Sequence, residues 1–124
     1  PHRSSPIPSI ANDGSLIRGS VDLTIASVVY PLVDFKRDRG KARTEKDYDS
    51  SVKPAAASHA EDFEMITGTI RQRSDKVAPP KFTVFSYDAK NWYIVDREES
   101  GSTQGLKEYA VTIMECITGS VTIS

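Results

Sequence analysis

The stretch KFTVFSYDAKNWYIVDREESGSTQGLKEYAVTIMEC, residues 81–116, constrains the fold more than any other part of the chain. Apolar and polar residues alternate along much of it with the period of two that half-buried strands have. Asp and Asn residues between the alternating runs favour turns, because their side chains bond the local backbone. The stretch predicts a strand from about Phe82, a four-residue turn at Asp88–Asn91, a return strand at Trp92–Val95, a polar loop over 96–105 and a long last strand at Leu106–Ile117.

Two segments upstream predict further strands. The run SVDLTIASVVYPL alternates after Ser20 and predicts a strand over about 20–30, with a short continuation to Phe35. Pro31 cannot donate a ladder hydrogen bond, so it ends the strand, bends it or marks an edge. FEMITGTIRQRS predicts another strand, in which Gly68 marks a bulge or a close backbone approach. The fold class is therefore all-β, a small β-barrel or sandwich of five to six strands, with one domain over 20–124.

The same alternation predicts which side chains form the core. Adjacent strands should bury one shared apolar face, made of Phe82, Val84, Trp92, Ile94, Val111 and Ile113. The opposite face of the last strand is also largely apolar and ends in Met114 and Cys116. A strand with two apolar faces is covered on both sides, by a second sheet or by a neighbouring subunit. We therefore expect Met114 and Cys116 at a subunit interface.

Two segments lack any strand or helix period. Residues 1–19 are rich in proline and serine, which predicts an extended N-terminal arm that is either frayed or ordered against a neighbouring subunit through Ile7 and Ile10. Residues 34–60 mix both charges and predict a long loop. Such loops are commonly functional or disordered, so this one is either a solvated excursion or a segment that orders on a partner. Its predicted contact residues, for an acidic surface or for DNA phosphates, are Arg37, Arg39, Lys41 and Arg43.

Composition and motifs narrow the function. The formal net charge of −1 excludes nucleic-acid binding by bulk electrostatics. Cys116 is the only cysteine, and the two histidines lie far apart, so neither a disulfide nor a zinc site is expected. No GxSxG, GxGxxG or P-loop motif occurs. We predict no catalytic, cofactor-binding or metal-binding residue, and a protein that is not an enzyme.

Two further features bear on partners. Trp92 and Tyr93 beside Phe82 and Phe85 are either core residues, which strand positions favour, or a stacking platform for single-stranded nucleic acid. No stretch approaches the ~20 apolar residues of a membrane span, and the N-terminal residues lack the apolar run of a signal peptide. We expect synthesis in the cytoplasm and no membrane partner.

The order of a strand, the hairpin YDAKNWYIV, a polar loop with glycine and the long strand LKEYAVTIME resembles the C-terminal half of head-completion proteins of tailed bacteriophages, the head–tail connector or stopper class. MITGTIRQRS and VDLTIASVVYPL are similar to the family's preceding strands, so the resemblance covers about 20–117. The likeness lies in the pattern of strands rather than in signature residues. The chain has DAKN where the family has a glycine turn.

The resemblance implies a structural protein of the virion neck. Such a protein forms a homo-oligomeric ring, six- or twelve-fold, between the portal or adaptor and the tail terminator or tail tube. The ring completes the head, helps to retain the packaged DNA and provides the tail-docking surface. The long loop would dock on a neighbouring ring or line the DNA channel, and the arm would lie along neighbouring subunits. The alternatives are another phage structural protein, namely a tail terminator or capsid decoration protein, and a small nucleic-acid-binding barrel.

Overall fold

The computed structural model describes residues 16–39 and 64–116, which form strands and connections without a helix. The strands are β1 (Leu16–Ile25), β2 (Val28–Arg39), β3 (Glu64–Arg73), β4 (Phe85–Tyr87), β5 (Lys90–Thr103) and β6 (Leu106–Glu115). All pairings are antiparallel, and the strands form one sheet in the order β1-β2-β3-β6-β5-β4. The edge strands β1 and β4 contact each other, so the sheet is nearly closed into a barrel. The predicted all-β barrel is confirmed.

The strand order divides the barrel into two halves. Strands β1, β2 and β3 are consecutive neighbours, and so are β4, β5 and β6. The halves join along the pairing of β3 with β6, in which Thr69 lies opposite Ala110 at the centre. Each half is therefore a three-stranded meander, and the β3–β6 ladder is the seam between them.

The main core fills the barrel interior. Trp92, Ile94, Val111 and Ile113 are buried there as predicted, together with side chains of β1, β2 and β3. The prediction was wrong for Phe82 and Val84. They pack instead against a second cluster on the other face of β5 and β6. The reason is that residues 81–84 are not a strand: Phe82 has a positive φ of 70°, and its N–H donates to the Ile94 carbonyl at 2.8 Å.

The strand boundaries correct the sequence prediction at several places. The single strand predicted over 20–30 is a hairpin, because a tight turn at Ala26–Ser27 separates β1 from β2. The turn predicted over four residues has only Asp88–Ala89 at its centre, and residues 96–103 belong to β5 rather than to a loop. Strands also take residues 16–19 and 34–39, which the sequence assigned to the arm and the loop.

Gly68 marks a close backbone approach, as the sequence predicted. A Cβ atom on this residue would lie 2.8 Å from the Cβ of Phe35 and 3.0 Å from Cδ1 of Leu32. The neighbouring strand β2 carries a bulge between Val33 and Lys36, with Asp34 at a φ of 50°. The bulge brings Phe35 against β3, and only glycine leaves room for it.

Candidate functional site at the base of the barrel

One end of the barrel collects the chain ends that flank the segment 40–63. At this end, which we call the base, Arg39 at the end of β2 pairs directly with Glu64 at the start of β3. The β4–β5 turn and the end of β6 lie at the same end, since Tyr87 pairs with Lys90 and Trp92 with Glu115. The segment 40–63 therefore leaves and re-enters the barrel at adjacent positions.

A buried ion pair ties the two strand ends together at the base. Nε of Arg37 donates to Oε1 of Glu64 at 2.6 Å, and a second nitrogen of the guanidinium contacts the same oxygen. The two side chains are only 7% and 4% exposed. The guanidinium also lies 5.4 Å from the ring centroid of Trp92, within the range of a cation–π contact. The pair therefore packs against Trp92, a residue of the main core.

Three further charged side chains complete this arrangement, which we call the base cluster. It consists of Arg37, Glu64, Asp88, Lys90 and Glu115. Nη1 of Arg37 reaches Oδ2 of the half-exposed Asp88 at 3.1 Å. Nζ of Lys90 donates to Oε1 of Glu64 at 3.1 Å and lies 3.9 Å from Oε1 of Glu115. The cluster links β2, β3, β5, β6 and the β4–β5 turn by charge-assisted contacts.

The two cations of the cluster stabilise the ionised form of Glu64. Burial alone would raise the pKa of Glu64, but the hydrogen bonds from Lys90 and Arg37 outweigh it and hold that pKa below its ordinary value. Separating the Arg37 and Glu64 side chains would leave an uncompensated buried charge, so the pair holds the two strand ends together. The base cluster is thus a rigid attachment for the segment 40–63.

The predicted loop contacts need a correction here. Arg37 is not an exposed loop residue: it lies within β2, is 5% exposed and points inward. Tyr30, Leu32 and Phe35 point inward, and their period of two shifts by one residue at the bulge. Arg37 continues this inward series. The alternation through residue 37 could therefore have predicted that Arg37 lies in a strand. Arg39 is the last residue of β2. Lys41 and Arg43 lie outside the described residues.

The side chains on β6 that the sequence placed at a subunit interface are covered by the chain itself. Met114 and Cys116 are 2% and 4% exposed and belong to the second cluster with Tyr93 and Val95. The chain's own connection between β3 and β4 covers this cluster, through Phe82 and Val84. The expectation that this face needs a neighbouring subunit was therefore wrong. Ile7 and Ile10, the other predicted interface residues, lie outside the described residues.

The aromatic side chains do not form a stacking platform. Trp92 and Tyr93 are fully buried, and Nε1 of Trp92 donates to the Tyr87 carbonyl at 2.8 Å. Phe85 is buried in the main core. Their occupation of core positions follows the strand pattern that the sequence favoured.

Residues 16–39 and 64–116 contain neither a candidate metal centre nor a candidate membrane span. No group of three or more His, Cys, Asp or Glu side chains in these ranges could hold a metal ion. No helix in the described part of the chain is long and apolar enough to span a membrane.

Comparison with known proteins gives no relative. No protein-family model matches the chain. Neither the curated proteins nor the solved structures contain a match. The likeness to head-completion proteins therefore stays a prediction from the pattern of strands.

Proposed function

We propose that this chain is a structural protein of a tailed-phage neck, which forms a ring between the portal or adaptor and the tail. The observation that carries the proposal is the base of the barrel. There the buried Arg37–Glu64 pair fixes the two strand ends from which the long mixed-charge segment 40–63 departs. A rigid barrel that presents a long segment at one fixed point suits a docking element between stacked rings.

The order of strands supports the same assignment. The β4–β5 hairpin followed by the long strand β6 corresponds to the part of the chain that resembles head-completion proteins. The small antiparallel barrel is the architecture that this resemblance implies. The segment 40–63 carries Lys41, Arg43 and further charges of both signs. Single exposed ion pairs contribute about 0–1 kcal/mol and weaken with salt, so docking through this segment depends on several contacts acting together.

The proposed partners follow from this position. They are further copies of the chain in a six- or twelve-fold ring, the portal or adaptor on one side, and the tail terminator or tail tube on the other. Packaged DNA in the channel is a further contact for the basic residues of the segment. The protein would be made in the host cytoplasm and reside in the virion neck, and the role needs no catalysis and no cofactor.

The oligomeric state tests the assignment first. Native mass spectrometry of the purified full chain, with negative-stain imaging, should give a closed ring. A trimer would favour a capsid decoration protein and a monomer would favour a small binding barrel, and either result would overturn the neck assignment. In a reconstruction of the particle, density for the chain on the capsid shell rather than at the neck would overturn it as well.

A second experiment tests the docking segment. Lys41→Ser with Arg43→Ser should leave the thermal unfolding of the barrel unchanged, while heads fail to retain DNA or to join tails. Arg37 is left intact because it belongs to the barrel interior. The matched control is Lys36→Ser with Lys81→Ser, which removes two exposed cations from described residues elsewhere. If the Lys41/Arg43 variant gives normal infectious particles, the proposed docking role of these two residues is wrong.

A further inference from the structure

A second surface feature lies on the outer face of the sheet, away from the base. It is an open groove that crosses β1, β2, β3 and the start of β6. Its apolar floor is formed by Val29, Pro31, Val33 and Leu106. Arg71, Arg73 and Lys76 border it on the β3 side, and Asp22 borders it on the β1 side.

The exposed apolar side chains of the described residues concentrate at this groove. Val29 is 46% exposed and Leu106 is 41% exposed, and both line it. The remaining large exposed apolar residue, Val77 at 67%, follows Lys76 directly in the connection that borders the groove. Apolar residues scattered singly over a surface are ordinary, but their grouping within one concave feature makes this groove a candidate interaction site.

The basic rim adds a preference for negative charge. Arg71 and Arg73 form exposed ion pairs with Glu108 and Asp75, each at 2.7 Å. Lys76 makes no ion pair with any residue that the structure describes. An exposed lysine beside an apolar floor favours a bound segment that is mainly apolar and carries an acidic residue.

The residues before β1 have that composition. PIPSIAND, residues 6–13, contains Ile7 and Ile10 as its large apolar side chains and Asp13 as its only charge. Pro6 and Pro8 flank Ile7, and proline presets an extended chain and has no N–H to donate. Such a segment binds through its side chains on the face of a sheet, and it is unsuited to adding a strand at an edge.

The direction of β1 favours a neighbouring copy of the chain as the source of the segment. β1 begins at Leu16 near the base, where Leu16 pairs with Lys36, and the groove lies further along it beside Ser20 and Asp22. The described part of β1 therefore begins at the end of the barrel away from the chain's own groove. An extended chain spans about 3.3 Å per residue, so residues 1–15 reach roughly 50 Å, far enough for an adjacent barrel.

We propose that the groove binds the N-terminal segment of a neighbouring copy, with Ile7 and Ile10 on the apolar floor and Asp13 at the Lys76 rim. The inference rests on the proposed ring, and it assigns the contact that joins adjacent subunits. It also moves the interface from Met114 and Cys116 at the end of β6, which the chain itself covers, to the groove on β1, β2, β3 and the start of β6.

The experiment is a disulfide test between separately expressed chains in a Cys116→Ala background. One chain carries Ile10→Cys and the other carries Val29→Cys, and the two are mixed and oxidised with copper phenanthroline. A covalent dimer on a non-reducing gel is the expected result. Ser86→Cys on β4, an exposed position beside the turn at the base and outside the groove, replaces Val29→Cys as the control and should give no dimer.

A matched pair of substitutions tests the groove itself. Leu106→Asp places a charge on the apolar floor and should abolish both the covalent dimer and the ring. Ala110→Asp places the same charge on an exposed position of the same strand and should leave both intact. Circular dichroism of both variants should match the parent, because both positions are exposed.

The outcomes separate this inference from the proposed function. If the parent chain forms rings but the Ile10→Cys and Val29→Cys chains give no covalent dimer, the inference is overturned and the ring stands. Rings that survive Leu106→Asp have the same meaning. A double variant Ile10→Cys/Val29→Cys that closes only within single chains also overturns it, because the segment then binds its own groove. A parent chain that stays monomeric in native mass measurement overturns the proposed function itself.

Discussion

Replacing Arg37 by methionine tests whether burial determines how much the Arg37–Glu64 pair contributes to the free energy of unfolding. The substitution keeps most of the apolar stem but removes the guanidinium, so the buried Glu64 carboxylate keeps only Lys90 as its charged partner in the base cluster. Loss of one partner from a buried pair costs about 3–5 kcal/mol. Because Nζ of Lys90 stays at 3.1 Å, we expect the lower end, about 3 kcal/mol of unfolding free energy.

The chain offers a matched control for this change. Arg71 and Glu108 form a cross-strand pair with a similar distance of 2.7 Å, but their side chains are 47% and 36% exposed. Exposed pairs contribute about 0–1 kcal/mol, so Arg71→Met should cost less than about 1 kcal/mol. The two substitutions remove the same chemical group and differ mainly in burial.

Equilibrium unfolding in urea measures both variants. Trp92 is the only tryptophan and is fully buried, so its fluorescence reports the transition. The double variant Arg37→Met/Glu64→Leu should recover most of the loss, because apolar groups of similar size replace buried pairs at little cost. Lys90, which is 35% exposed, then turns to water. Equal losses for Arg37→Met and Arg71→Met, at unchanged m-values, would refute the burial argument.

Three further predictions use the same unfolding assay. Gly68→Ala should lower the free energy of unfolding by about 1–3 kcal/mol, because its Cβ would press on Phe35. The control Gly101→Ala meets only the movable Glu108 side chain and should change that free energy by no more than about 0.5 kcal/mol. Similar losses for the two variants would contradict the packing argument. The pKa of Glu64 is lowered on folding, so its stabilisation is present above about pH 4.5 and is lost as the pH falls through the folded-state value. Glu64→Gln should therefore make the free energy of unfolding fall less steeply at acid pH. An unchanged dependence on pH would assign it to other carboxylates. Burial raises the pKa of Tyr87 to about 12, so its contribution is complete below pH 10 and is lost as the pH rises towards 12. Its hydroxyl has no hydrogen-bond partner among the described residues, so Tyr87→Phe should remove the alkaline loss and be neutral or stabilising by about 1 kcal/mol at pH 7. A clear destabilisation would reveal a partner for that hydroxyl.

The alternation of apolar residues predicted the fold class and most of the core. Val111 and Ile113 on β6 and Trp92 and Ile94 on β5 show why: each pair keeps a strict period of two within one regular strand. Gly68 was also informative, because a glycine inside an alternating strand often marks a bulge or a close approach of another backbone. These signals lie within single strands, and the side chains keep the alternation when the strands pair in the barrel.

The turn between β1 and β2 escaped prediction, and the turn between β4 and β5 was predicted over Asp88–Asn91 but is shorter. Ala26 and Ser27 have φ values of 53° and 69°, and Asp88 and Ala89 have values of 55° and 62°. Two-residue turns of this hand normally contain Asn or Gly, so an alanine there looks like a strand residue. Tertiary pairing of the flanking strands imposes these turns, and pairing cannot be seen in a single segment.

The base cluster escaped prediction for a related reason. Arg37 follows a bulge, and its neighbours are charged, so the segment resembled a loop. Its partner Glu64 lies beyond the segment 40–63, and Lys90 lies beyond two more strands. A buried pair between distant positions has no local signature, and only the register of the sheet brings the charges together.

The two halves of the barrel differ in how their strands are connected, and this difference sets the order of folding events. Tight turns at 88–89 and 104–105 join β4, β5 and β6, so each pairing closes a short loop. β2 and β3 meet only across the segment 40–63, and the seam between Ile70 and Tyr109 joins the halves. Short loops close sooner than long ones. In pulse-labelled hydrogen exchange during refolding, amides between β5 and β6 and those of the β1–β2 hairpin should gain protection first. Amides of the β3–β6 seam should follow in the slower phase.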